Sequence, residues 1–142
     1  MPLHLVPSLH RATHRVGLYL ATLREHGLSQ GESHILALLA ASGPSTIADL
    51  HKGLAHKRST LTSILDRLAG RRFITRTVGA ADRRTFVIAL TARGRRAAAG
   101  VLRHLTKIEQ AVARRVSADD IAAFLRVVTA VEHEAHERTV RK

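Results

Sequence analysis

The sequence predicts a mainly α fold of the α+β class, with six helices interrupted by one two-stranded β-hairpin. Three observations carry this. Apolar residues recur at helical spacing along most of the 142 residues, an alternating hairpin pattern occurs once, and glycine or proline marks the joints. Hydrophobic content of 45% supports a packed core, and an aromatic content of 3% makes that core one of Leu, Ile, Val and Ala. The expectation is a single domain over residues 1–142 in two parts: residues 29–94, and a helical part from residues 1–28 and 95–142.

The first helix is expected from near Pro7 to before Gly27, since proline is tolerated in a first turn and glycine follows helix ends. Leu9, Ala12, Val16, Leu20 and Leu23 form its apolar stripe, with Val6, Leu18 and Tyr19 off it. Either a partner chain or packing within the chain accounts for the extra apolar face. Ser29-Gln30-Gly31-Glu32 has the capping-box pattern and opens a second helix through Ile35, Leu36, Leu38 and Leu39, which Gly43-Pro44 stops. Ser45 is the expected cap of a third helix that turns Ile47, Leu50 and Leu54 inward, and residues 55–57 make a turn.

The fourth helix buries Leu61, Ile64, Leu65 and Leu68 at i, i+3, i+4, i+7 spacing. Its other face carries Arg58, Ser59, Thr62, Ser63 and Asp66. Short hydroxyls there depart from the Glu and Lys of an ordinary solvated helix. Small side chains let a helix lie close to base edges, and hydroxyls bond bases or phosphates. The hairpin follows, Phe73 to Val78 and Thr85 to Leu90, with Asp82-Arg83-Arg84 at its tip. Thr91 is the expected cap of a long fifth helix reaching about Val116. Ser117-Ala118-Asp119-Asp120 starts a sixth, with Ile121, Phe124, Leu125, Val128 and Val131 as its stripe, polar residues from Glu132 and fraying of the last few residues.

The net charge is +12, and its distribution matters more than its size. Residues 51–96, about a third of the chain, hold twelve Lys or Arg against Asp66 and Asp82, so +10 of the +12 lies there. A basic block on a helix-hairpin unit is an electrostatic footprint for phosphate. An anionic membrane surface is the competing partner, but no segment opposes a strong apolar face to a Lys/Arg face, as interfacial helices do. No run approaches the ~18 apolar residues of a spanning helix. The first residues, interrupted by Pro2, His4 and Pro7, show no secretion signal, so a cytoplasmic location is expected. Cysteine is absent from the sequence, which removes disulfides, thiolate metal sites and thiol sensing.

Two helices followed by a basic-tipped hairpin are the parts of a winged helix-turn-helix. The residues that carry this are Arg58-Ser59-Thr60-Leu61-Thr62, Leu65-Asp66-Arg67-Leu68, Phe73-Ile74-Thr75-Arg76, Asp82-Arg83-Arg84 and Leu90-Thr91-Ala92-Arg93-Gly94. In these motifs, and in its helix order from about Leu9 to Val131, the chain resembles the MarR (multiple antibiotic resistance regulator) family of bacterial transcription regulators. His56 departs from the family, which more often has an apolar turn residue there.

The resemblance implies a homodimer built from the N- and C-terminal helices, with Leu9, Val16, Ile121, Phe124, Leu125 and Val128 as candidate interface residues. It implies double-stranded DNA as partner: the fourth helix in the major groove and the wing in the minor groove. The candidate contacts are Lys57, Arg58, Ser59, Thr60, Thr62, Ser63, Arg67, Arg83 and Arg84, with Asp82 orienting a wing arginine through an ion pair. It also implies a repressor bound to a pseudo-palindromic operator and released by a small, often aromatic, ligand. Tyr19 or His14 are candidates for that pocket.

Alternative readings are a sequence-tolerant architectural DNA-binding protein and a zinc-responsive regulator. His10 and His14 are one helical turn apart, and His133 and His136 stand among Glu132, Glu134 and Glu137. The order Glu-His-Glu-Ala-His is not a metallopeptidase pattern, whose two histidines are four apart, so the expectation is no metal and no cofactor. With acids mostly at helix caps, no glycine-rich loop after a strand and no nucleophile-base pair, the chain is expected not to be an enzyme.

Overall fold

The computed structural model describes residues 4–23, 26–54 and 57–141, Arg58 by its backbone. Among these residues six helices and three strands run in the order α1 (Leu5–Thr22), α2 (Gln30–Ser42), β1 (Ser45–Thr46), α3 (Ile47–Leu54), α4 (Arg58–Gly70), β2 (Ile74–Val78), β3 (Phe86–Leu90), α5 (Ala92–Ala113) and α6 (Ala118–Val140). The mainly α class with one small sheet is the expected one. The expected turn at Ala55 and His56 lies outside the described residues. No helix among the described residues is long and apolar enough to cross a membrane.

The chain forms two compact units, one of Arg15–His104 and one joining the residues before Arg15 to those after His104. The first is built around the side chains the periodicity singled out. Ile35, Leu36 and Leu39 of α2, Leu50 of α3, and Leu61, Ile64, Leu65 and Leu68 of α4 close on Phe73, Ile74 and Ile88. Ala97 and Ala98 bring α5 against the same core. Apolar area removed from water, at roughly 25 cal/mol per Å², is the main force holding it.

The sheet has three antiparallel strands in the order β1-β3-β2, where two were expected. Ser45 and Thr46 pair with Ile88 and Val87, and β2 pairs with β3 from Ile74 opposite Leu90 to Val78 opposite Phe86. A two-residue strand is too short to show an alternating pattern, and it begins directly after the stop at Gly43-Pro44. Gly43 takes φ 75°, a conformation that glycine adopts without strain, while its N–H closes α2 on Leu39. Phe86 stands on the same side of β3 as the buried Ile88. It is 47% exposed, because the outer end of the hairpin projects beyond the core.

Several boundaries differ from expectation for local reasons. The third helix is capped by Thr46 and not Ser45: the Asp49 N–H donates to Thr46 Oγ1, and Asp49 Oδ2 accepts from the Thr46 N–H at 3.1 Å. Ser45 instead donates to the Gly43 carbonyl. α1 starts before Pro7 and stops at Thr22. α5 stops at Ala113, short of Val116, while α6 stays helical through its polar end to Val140, into the last residues expected to fray. The Arg138–Glu134 and Arg141–Glu137 ion pairs, at i, i+4 spacing, support that last stretch. Ser117 and Asp120 form the full reciprocal capping box at its start.

In the second unit α6 buries none of its residues. Ile121 and Val128 are partly covered, whereas Phe124 and Leu125 are 53% and 58% exposed. In the same unit Leu9 of α1 is partly covered and Val6 is exposed; in the Arg15–His104 unit Val16 is partly covered and Leu18 is exposed.

Candidate nucleic-acid interface

α4 carries the first half of the interface. With Leu61, Ile64, Leu65 and Leu68 committed to the core, the helical period forces Ser59, Thr60, Thr62, Ser63 and Arg67 outward, and all five are exposed. Lys57, at the N-cap position with extended backbone, is exposed too and makes no side-chain cap bond. The Arg58 side chain lies outside the described residues. Ser29 at the start of α2 borders the same open groove as Ser59, Thr60 and Ser63. A hydroxyl-lined helix face without long side chains allows close approach to a duplex.

The hairpin carries the second half. At its tip Asp82 Oδ1 accepts the Arg84 backbone N–H at 2.9 Å, and Thr85 donates both its N–H and its hydroxyl to the Asp82 carbonyl. The ion pair expected between Asp82 and an arginine is absent among the described residues. A short carboxylate two residues upstream reaches the backbone amide more readily than a flexible guanidinium. Asp82 thereby shapes the turn that presents Arg83 and Arg84, both exposed.

Both acids of the basic block have partners. Besides Asp82, Asp66 on α4 accepts from Arg76 on β2 at 2.7 Å. The pair links helix to hairpin and offsets a negative charge that faces the groove. Asp66 and Asp82 remain exposed, but each is engaged, and the other outward polar groups of the block are mostly hydroxyls and cations.

The turn from α4 into the hairpin is built tightly. The N–H groups of Arg72 and Phe73 close on the carbonyls of Ala69 and Leu68, a Schellman ending in which Arg72 takes the left-handed position at φ 60°. Thr91 caps α5 as expected, receiving the Gly94 N–H and donating its hydroxyl to the Arg72 carbonyl. Gly94 packs directly on the strand entry. A Cβ there would sit 1.9 Å from the Phe73 carbonyl oxygen. The Leu90-Thr91-x-x-Gly94 motif therefore joins wing to helix by geometry.

Glu32 differs from expectation. Ser29 accepts the Glu32 N–H, but the Glu32 carboxylate does not return to Ser29. It is buried and accepts from Arg67 and Arg71 instead. In the sequence Glu32 stands only as half of a capping-box pattern. The arginines at i+35 and i+39 gave no local signal.

Within the Arg15–His104 unit, a cavity of about 20 Å³ lies between the end of α1, α2 and α5, bordered by Leu20, His26, Leu28, Ser33, Val101 and His104. Tyr19 Oη and His104 Nδ1 are 3.2 Å apart. His14 is exposed and does not border the cavity. No group of three His, Asp or Glu arranged to hold a metal exists among the described residues.

The MarR family model matches residues 28–86, the segment from the start of α2 to the start of β3. No curated protein matches the chain by sequence. Among solved structures, the chain is similar to S. aureus MepR in complex with DNA, at 20% identity over 95% of this chain and 99% of that one, TM-score 0.79. It is similar to the PcaV transcriptional regulator of Streptomyces coelicolor in complex with its natural ligand, at 22% identity over 94% and 93%, TM-score 0.76. BpsR of Bordetella bronchiseptica, whose DNA binding is regulated by 6-hydroxynicotinic acid, is 22% identical over 91% and 98%, TM-score 0.74. These likenesses establish a shared fold along nearly the whole of each chain.

Proposed function

We propose that this chain, MarR-like in sequence over residues 28–86 and in fold along its length, is a DNA-binding transcription regulator. One observation carries the reading. The exposed hydroxyl face of α4 and the exposed Arg83-Arg84 tip belong to one basic unit whose two acids are both engaged. Such a unit lays α4 in the major groove, with Ser59, Thr60, Thr62 and Ser63 toward base edges and phosphates. It sends Arg84 into the adjacent minor groove, where narrow tracts strengthen the negative potential.

The protein acts as a homodimer. Phe124 and Leu125 of α6, and Val6 and Leu18 of α1, are exposed apolar side chains that a second copy covers. Two recognition helices related by a two-fold axis read half-sites about 10 bp apart, or a multiple, so the operator is a pseudo-palindrome. Occupancy of a promoter operator makes the protein a repressor.

A small aromatic effector releases it, bound at the cavity bordered by His26 and His104. That cavity now has room for about one water, so a ring enters only as Leu20 and Leu28 part from α5. MepR with DNA, PcaV with its ligand and BpsR with its acid-regulated binding support the reading by analogy of fold.

Gel-shift binding to duplex DNA from the protein's own promoter region, with excess unrelated competitor, tests the proposal. Complexes that survive the competitor are expected. Binding that the competitor abolishes points to the architectural alternative, and binding that returns only with added zinc points to the metal-responsive one.

A further inference from the structure

We infer that Glu32 is a positioning residue for α4, holding Arg67 and Arg71 as struts and withdrawing both from phosphate contact. This rests on the DNA-binding reading above and deepens it. The Glu32 side chain is only 7% exposed, and its two oxygens are divided between partners. Oε1 accepts Arg67 Nε at 3.3 Å and Oε2 accepts Arg71 Nη1 at 3.2 Å. A buried carboxylate is tolerated only when paired and hydrogen-bonded, and here each oxygen has its own guanidinium.

The arginines are held at their other edges as well. Arg67 Nη1 donates to Ser63 Oγ one turn earlier on α4, at 2.9 Å. Arg71 Nη1 also donates to the Gly27 carbonyl at 3.0 Å and Nη2 to the His26 carbonyl, while its guanidinium lies 4.9 Å over the Phe73 ring. The network therefore runs from the segment before α2, through Glu32, to the last two turns of α4. It fixes how far α4 tilts from α2, and hence the angle at which Ser59, Thr62 and Ser63 meet a groove. Arg67, which the sequence alone assigns to DNA, is reassigned to this frame.

Salt dependence separates a strut from a phosphate ligand, because each neutralised phosphate adds about one unit to the slope of log K against log salt. We expect Arg67→Gln to weaken binding to promoter DNA about tenfold while leaving that slope within about 0.3 of wild type. We expect Glu32→Gln to lose the preference for promoter over unrelated DNA, and to raise the slope on unrelated duplex by about one as an arginine is freed. Circular dichroism melts establish that each variant is folded at the binding temperature. Where Glu32→Gln is not folded, the Arg67→Gln arm decides alone. A slope lowered by about one in Arg67→Gln makes Arg67 a phosphate ligand and overturns the inference. So does an undiminished promoter preference in folded Glu32→Gln. The slope arm needs only duplex DNA, so it reports even without an operator preference. A wild-type protein that binds no DNA refutes the functional reading, and this inference with it.

Discussion

Asp66 on the exposed face of α4 is bound by Arg76 of β2, Oδ1 to Nη2 at 2.7 Å, so helix and wing are tied by a pair that also removes a charge hostile to DNA. The side chains are 60% and 30% exposed, and a pair this open contributes about 0–1 kcal/mol to stability. Its larger effect is on binding. Arg76→Gln is expected to weaken binding to any duplex by about tenfold at low salt, because Asp66 is left facing phosphate. Arg76→Gln combined with Asp66→Asn recovers most of that loss. Fluorescence anisotropy on labelled duplexes measures both, and a double variant no better than the single one shows that Arg76 itself touches DNA.

Arg84 stands at the hairpin tip with its backbone N–H held by Asp82. Arg84→Ala should lower specific affinity by ~1–3 kcal/mol and the salt slope by about one. Asp82→Ala keeps the arginine but releases the turn, so its affinity falls with the slope unchanged. An Arg84→Ala variant that binds as wild type does would remove the wing from the interface.

Which residues of the candidate interface are exposed is largely legible in the sequence, for a physical reason. The apolar period of α4 fixes which residues are buried, and the outward set follows by elimination. The Thr91–Gly94 spacing likewise encodes a cap and a backbone contact within four residues. What escapes is long-range or very short. Glu32 reads as half of a capping box, because its arginines lie 35 and 39 positions away. Thr46 as the cap in place of Ser45 depends on a two-residue strand whose partner is β3. The extent of α6 depends on Arg138 and Arg141 meeting glutamates one turn back, in a stretch whose composition reads as a frayed end.

The joint between α4 and the wing predicts opposite signs for two glycine-related changes. Arg72 occupies a left-handed conformation that costs an L-residue about 1–2 kcal/mol, so Arg72→Gly is expected to stabilise by about 0.5–1 kcal/mol after its entropic cost. Gly94→Ala drives a methyl to 1.9 Å from the Phe73 carbonyl oxygen, and only backbone movement relieves it. It should destabilise by about 3 kcal/mol or more. Urea unfolding curves test both.

The exposed pair Phe124 and Leu125 on α6 is the point at which the proposed dimer is vulnerable. Replacing both by Glu sets like charges against each other across a two-fold interface. The expected product sediments as a folded monomer and loses the palindrome-dependent part of its affinity. A variant that still sediments as a dimer places the interface elsewhere.

Acid should loosen the starts of α3 and α6. The Asp120 carboxyl is held below the usual aspartate range, first by the Ser117 hydroxyl and then by the Ser117 backbone N–H. Asp49 is held down in the same way by Thr46, with Lys52 adding to it. A folded-state value below the unfolded one means the carboxylate stabilises the fold above the unfolded value near pH 3.9, and that this contribution is lost as pH falls through the folded value. Little change from these groups is therefore expected between pH 7 and about pH 5. Asp120→Asn should melt below wild type at pH 7, and the gap should narrow as pH falls below the unfolded value near 3.9 and through the lower folded-state value, as the wild-type carboxylate is protonated. Thermal melts of the two proteins across that range check the sign. A gap that persists undiminished at pH 2 would show that Asp120 acts through something other than its charge.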